Sequence, residues 1–286
     1  MSKLYTAVQS VTPPIVFRLF KNTFIYSSIK KINDKISKKD PRLYTINNGL
    51  LKNRKIFFEG EVNWQKEMIN GSYDDYFFNY IKQKQLSGKT ILDIGAHIGY
   101  HSLCFAELVG KSGRVFAFEP NPYNVVYIKE ALKNNTDLAK RIELFEIALS
   151  NKDGLEDFIF SDKVEEGMSS GSFIDSADTI WEKEVFEKIT GFKRMRVKTL
   201  SLDSLDQTVD GGIKPDVLKI DVEGAESLVL EGARRMILKY SPIILLEIHS
   251  MLNMYLILNF FYKIGYETEL LKTEKDGRCF ISATKL

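Results

Sequence analysis

The sequence predicts an α/β fold: an open, mostly parallel sheet with helices on both faces and one reversed strand near the C-terminus. Three observations carry this. Residues 89–121, KTILDIGAHIGYHSLCFAELVGKSGRVFAFEPN, read as buried strand, glycine turn, helix, second buried strand and an acid at that strand's end. Strand and helix patterns then alternate through strands at 142–149, 217–220 and 242–248. Two final strand patterns, 266–271 and 279–284, flank a turn around Lys275-Asp276-Gly277 with no room for a helix, so one strand must run antiparallel.

A chain of 286 residues suits one large α/β domain with an appendage. Its 44% hydrophobic and 27% charged residues exclude a fibrous or wholly disordered protein. The net charge of +2 hides an asymmetry: residues 1–60 hold twelve Lys/Arg against three Asp/Glu, so the rest sums to −7. A basic arm on an acidic body suits an anionic membrane surface or nucleic acid, and equally a solvated lysine-rich leader. Cys104 and Cys279 sit in apolar patterns and read as core residues of a reducing compartment. Pro13-Pro14 and Arg18 interrupt the early apolar segment, so no secretory signal is expected, and no apolar run is long enough to span a bilayer. The reading is a cytoplasmic protein, with peripheral contact at the inner membrane surface as the alternative.

The domain reading is a basic extension over 1–63 and a catalytic domain over 64–286. Within the extension, 15–29 has the spacing of an amphipathic helix, 30–42 reads as a linker, and 47–58 as a hairpin turning at Asn48-Gly49. Residues 64–84 read as helix with a break at Gly71-Ser72, and Tyr73 as a packing aromatic. The helix after the glycine turn is expected over 98–109, the next over 122–134, opened by Pro120 and Pro122. Residues 155–200 interrupt the rhythm with a strand at 156–160, a polar loop at 168–172 and a charged helix at 180–189; such an insertion is expected to serve the acceptor site. Later helices are expected over 224–240, with Leu238 on its apolar side, and over 252–263, the latter buried.

The turn identifies the ligand class. A dinucleotide fingerprint wants G-x-G-x-x-G; here Gly95 and Gly99 are separated by three residues and preceded by Asp93. A carboxylate on the first strand suits a cationic, amino-acid-like ligand end, and Glu119 suits a ribose diol. S-adenosylmethionine (SAM) meets both conditions. The motifs Asp93-Ile-Gly-Ala-His-Ile-Gly-Tyr100, Phe118-Glu-Pro-Asn121, Thr199-Leu-Ser-Leu-Asp203, Leu218-Lys-Ile-Asp-Val-Glu-Gly-Ala-Glu226 and Leu246-Glu-Ile-His249 together resemble the FkbM methyltransferases. That resemblance implies the Rossmann-like class I methyltransferase fold: seven strands in the order 3-2-1-4-5-7-6, the seventh reversed. It also implies a SAM site built from Asp93, Gly95, His97, Gly99, Tyr100, Glu119, Asn121, Ala148 and Asp221. His97 departs from the Asn more usual in the family. The implied reaction is O-methylation of a sugar, glycan or natural-product hydroxyl.

An alcohol acceptor needs a base at the carboxyl ends of the fourth and fifth strands, where Asp221, Glu247 and His249 gather. His249 is the first choice because its pKa is nearest neutrality; Asp221 can instead hold the cofactor's ammonium. The same three residues could bind a divalent metal, an arrangement ranked below a metal-free site. Lys219 reads as a carboxylate partner, His101 as structural, and Glu223 and Glu226 as acids favoured at a helix start. A nucleic-acid methyltransferase is the first rival, although the Asn-Pro-Tyr run at 121–123 follows the wrong strand. A dehydrogenase fits poorly, and a catalytically silent interaction module with this fold is the non-enzymatic alternative.

Overall fold

A computed structural model describes residues 41–59, 63–161, 172–177, 192–208, 212–274 and 277–286. The helices expected over 15–29 and 180–189 lie outside the described residues. All that follows concerns the compact unit Arg42–Leu286.

The unit begins with a hairpin, β1 (Arg42–Thr45) paired antiparallel with β2 (Lys55–Phe58). Its first strand precedes the expected start at residue 47, while Asn48-Gly49 lies in the connection as read. Tyr44 stacks on Phe58 at 4.5 Å, and Ile46, Leu51, Ile56 and Phe58 are buried in the main core. The compact unit therefore starts at Arg42 and includes this hairpin. Helices α1 (Asn63–Asn70) and α2 (Asp75–Ile81) follow, broken at Gly71-Ser72.

The central sheet is built from β3 (Thr90–Ile94), β4 (Arg114–Phe118) and β5 (Ile142–Phe145), joined by α3 (Tyr100–Val109), α4 (Pro122–Lys133) and the short α5 (Thr136–Ala139). Beyond β5 the chain leaves this sheet for a four-stranded one: β6 (Ala148–Leu149), β7 (Gly154–Ser161), β8 (Phe173–Ile174) and β9 (Phe192–Leu200), in the order β6-β9-β7-β8. The third strand expected over 142–149 is thus two strands in different sheets. After α6 (Leu202–Thr208) come β10 (Val217–Ile220), α7 (Glu226–Gly232), α8 (Arg234–Tyr240), β11 (Ile243–Ile248), α9 (Met251–Ile264), β12 (Tyr266–Thr273) and β13 (Cys279–Lys285).

The seven-stranded sheet has the order β12-β13-β11-β10-β3-β4-β5. Numbered by their own succession along the chain, its strands run 3-2-1-4-5-7-6. The pairs from β11 to β5 are parallel, and β13 is antiparallel to both β11 and β12. Alternation explains why the central strands are apolar throughout. Ile91, Val115, Ala117, Val217 and Leu245 face one core with α3 and α4. Leu92, Ile94, Phe116, Phe118, Leu218, Ile220 and Leu246 face the other, with α7, α8 and α9.

Two helical expectations need correction. The span 224–240 is two helices that part at Ala233, and Leu238 is half exposed. Helix α9 buries Ile257, Phe260, Phe261 and Ile264 but exposes Met251, Leu252, Tyr255 and Tyr262, so it is covered on one side only. Among the described residues no helix is long and apolar enough to cross a membrane.

Candidate active site

The carboxyl ends of β3, β4, β10 and β11 open on a cavity of about 370 Å³, within the range of small-molecule sites. The turn after β3 forms its floor. Gly95 has φ +80°, and a Cβ there would stand 1.8 Å from the Asp221 carbonyl oxygen. Glycine is required because the β3 turn and the end of β10 touch backbone to backbone, and not solely for ligand approach. Gly99, at φ +85° before α3, would meet only the Ile128 side chain, at 3.2 Å. His97 also has a left-handed φ, 52°, a region Asn and His enter more readily than most residues. That accounts physically for the His found here. Its ring lies 5.4 Å from that of Trp64, and burial pushes its pKa down to about 4.

Buried polar groups lock this turn. Asp93 is fully buried beneath it, accepts from Ser102 Oγ at 2.5 Å and faces Lys219 Nζ at 3.4 Å. Lys219 Nζ donates to the Gly95 carbonyl at 2.8 Å and lies 3.4 Å from Asp221 Oδ2. Burial opposes the charge of Lys219, but Asp221 and Asp93 outweigh it and hold the ammonium above its ordinary pKa. Asp93 therefore supports the floor from below and does not line the cavity; Tyr100, buried against Tyr73 at 5.5 Å, likewise packs behind it.

Glu119 lies at the cavity's edge. Its Oε2 accepts from His97 N at 2.8 Å, and its Oε1 from Asn121 N at 2.9 Å and Asn124 Nδ2 at 3.2 Å. Burial nevertheless pushes its pKa up to about 7. Asn121 is fully buried as the cap of α4, accepting from Tyr123 N and donating to Ser172 Oγ at 3.4 Å. Ala148 lines the cavity with Ile147, Leu149, Phe158, Phe173 and Ile174, an apolar slot beside Glu119. The described part of the 155–200 insertion therefore walls the Glu119 side of the cavity.

The opposite side is a charged corner. Glu226 is fully buried, and its Oε1 is shared by Gly224 N at 2.9 Å, Val222 N at 3.4 Å and His249 Nδ1 at 2.9 Å. With backbone donors on the same oxygen, the carboxylate takes a proton-bearing Nδ1 from His249, which leaves Nε2 aimed into the corner. Nε2 lies 3.4 Å from Glu223 Oε2, 3.5 Å from Glu247 Oε1 and 3.8 Å from Asp221 Oδ1. Arg278 Nη1 pairs with Glu247 Oε1 at 2.5 Å. Glu223 stands at φ +53°, a strained geometry for a residue with a side chain, of the kind that clusters at functional sites. Asn253 clamps this turn, donating to the Gly224 carbonyl at 2.7 Å and accepting from Ser227 N.

Electrostatics sort the corner. Burial opposes the His249 charge, but Glu223, Glu226 and Glu247 outweigh it and raise its pKa well above the ordinary value. Burial, aided by the Asp221 charge, raises Glu247 well above the carboxylate range. Burial also lifts Glu223 to about 7 against the pull of His249. Asp221, although partly desolvated, is held below its usual pKa by Lys219 and His249.

The three strand-end residues read from the sequence thus converge, together with Glu223, Glu226 and Arg278, which that reading did not place there. For Glu223, Glu226 and Arg278 no pattern distinguished them from ordinary helix-start and turn residues. His101 is structural as read: its Nε2 lies 3.0 Å from Asp74 Oδ2, its ring among Phe77, Phe78 and Phe105. Tyr73 packs on Tyr100 and also lines the cavity.

A doubly wound sheet with its cavity at the strand carboxyl ends, and an acid after the second strand, defines the Rossmann-like nucleotide-cofactor proteins. Within that class, the Methyltransferase FkbM domain matches residues 93–267. The match covers more than half of the chain, which belongs to this family. Curated relatives include the 2-O-methyltransferase NoeI of Sinorhizobium fredii, 31% identical over 153 residues, covering 52% of this chain. The chain spans only 59% of that relative's length. The hexuronic acid methyltransferase AglP of Haloferax volcanii is 25% identical over 217 residues, 76% of this chain and 78% of AglP. Among solved structures, a methyltransferase FkbM from Methylobacillus flagellatus aligns with TM-score 0.46 and 18% identity, over 68% of this chain and 43% of that one.

Proposed function

We propose that this protein is a SAM-dependent O-methyltransferase acting on a sugar hydroxyl, within a glycan or a related natural product. The observation that carries the reading is the corner of Asp221, Glu223 and Glu247, backed by the buried His249, which shares one cavity with the Glu119 slot. Family membership and the names of NoeI and AglP support the same acceptor class.

The residues present fit SAM. The apolar slot of Ile147, Leu149 and Phe158 suits adenine, Glu119 suits the ribose diol, and Gly95 with Asp221 suits the amino-acid end. When bound, SAM supplies an electrophilic methyl group on a cationic sulfur. The acid-rich corner favours that positive charge and a hydrogen-bonding, hydroxyl-rich acceptor. As the acceptor oxygen gains the methyl it loses its proton, and Glu223 is placed to receive it. His249 is less suited to that role than its ordinary pKa suggested, because, against the effect of burial, the surrounding carboxylates raise its pKa well above that value. Instead, Glu226 fixes its ring, and His249 orients the acceptor.

The test is mass spectrometry of a panel of sugars and uronic-acid glycans after incubation with SAM. A product carrying one added methyl ether is expected. Glu223→Gln should lower turnover on it ~10²–10⁴-fold while SAM affinity holds. SAM consumption restricted to an RNA or amine acceptor would overturn the proposal.

A further inference from the structure

The geometry points to a divalent-cation site of Mn²⁺ type at Asp221, Glu247 and His249, with open positions facing the cavity for hydroxyl oxygens of the acceptor. These three residues each offer a ligand atom within 4.8 Å of the others. The independent observation is the imidazole. His249 is 4% exposed, and its Nε2 is buried with no hydrogen-bond partner. An ion accounts for a deeply buried ring nitrogen that faces three carboxylates yet makes no hydrogen bond.

The surroundings are those of a ligating histidine. Glu226 holds Nδ1 at 2.9 Å, the carboxylate–histidine arrangement that fixes the tautomer and aims the other nitrogen at a metal. Ligands about 2.1 Å from one ion stand roughly 3 Å apart when adjacent and about 4.2 Å when opposite. The 3.5 Å and 3.8 Å from Nε2 to Glu247 Oε1 and Asp221 Oδ1 fall between those limits. The resident cations leave room. Lys219 faces the other Asp221 oxygen, Oδ2, and Arg278 pairs with Glu247 Oε1, a carboxylate oxygen whose second lone pair remains for the ion. One imidazole with two carboxylates is a mixed nitrogen and oxygen set, which suits Mn²⁺ better than a purely oxygen-seeking ion. Glu223, 3.4 Å from Nε2, remains beside the site as the proton acceptor. The ion's part in holding the acceptor rests on the methyl-transfer reading; its binding does not.

The experiment therefore measures binding without turnover. The full chain, freed of metal with a chelator, is titrated with MnCl₂ and free Mn²⁺ is followed by electron paramagnetic resonance. One saturable site per chain is expected. Asp221→Asn and His249→Gln should each weaken it at least ~10-fold, with melting temperature confirming the fold; if one variant does not fold, the other decides. No saturable site in the wild type, or wild-type affinity in the folded variants, overturns the proposal. SAM binding and sugar methylation measured on the same preparation keep the outcomes separable. Methylation without a Mn²⁺ site removes the ion alone, and a Mn²⁺ site without methylation removes the acceptor reading alone.

Discussion

The two sides of the cavity are built on opposite principles. At the Glu119 side the turn is held from behind: Lys219 ties Asp93 to the Gly95 carbonyl, and Glu119 joins two backbone amides and Asn124 across the turn. At the charged corner four carboxylates surround one histidine, Glu223 sits in a left-handed conformation, and Nε2 of His249 makes no hydrogen bond. The first side is the more fully tied, although Asp93 Oδ1 and Asn124 Oδ1 make no hydrogen bond. The second carries unspent interaction capacity, which is where transition-state or ligand stabilisation must come from.

The largest expected effect breaks the more fully tied side. Gly95→Ala forces a Cβ against the Asp221 carbonyl and strains a positive φ, and should cost roughly 2–6 kcal/mol of stability. Gly99→Ala strains a similar φ but meets only a side chain that can move, and should cost about 1–2 kcal/mol. Urea denaturation of both variants measures the gap. Equal losses would mean that the β3–β10 backbone contact does not set the floor.

At the corner, Glu226→Ala removes the acceptor of His249 Nδ1 and of two backbone amides. Stability should fall by about 1–3 kcal/mol, and turnover ~10–100-fold as the imidazole loses its orientation. SAM affinity should hold, because Glu226 lies outside the slot beside Glu119. A matching loss of SAM affinity would show that the two sides are not separable.

The contrast also explains what the sequence made legible. The sheet could be read because each strand's apolar alternation reflects two cores, and Asp221, Glu247 and His249 because strand ends converge in this architecture. The passage of Ala148–Leu149 into a second sheet could not, since a short apolar run does not say which strand it pairs with. Glu223 and Glu226 looked like helix-start acids, because their directions depend on the left-handed φ at Glu223, which no pattern encodes. Helix α9 looked buried because its apolar content concealed a one-sided burial pattern.

The smallest expected effect sharpens the more fully tied side, through pH. Burial raises the Glu119 carboxyl from an ordinary 4.5 to about 7 despite donors from Asn121 and His97. A raised carboxyl stabilises the free fold fully below about 4.5, and that contribution is lost as pH rises through about 7. A ribose diol reverses the preference, because the ionised carboxylate accepts from both hydroxyls. SAM affinity should therefore rise with pH across roughly 6 to 8, by at most ~10-fold per unit, and then level off. Calorimetric titration at several pH values measures this slope, and Glu119→Ala isolates its source. That variant should bind SAM more weakly by ~1.5–3 kcal/mol above neutrality and lose the slope. A slope that survives the substitution would assign the titrating group to the charged corner and leave Glu119 as a purely structural clasp.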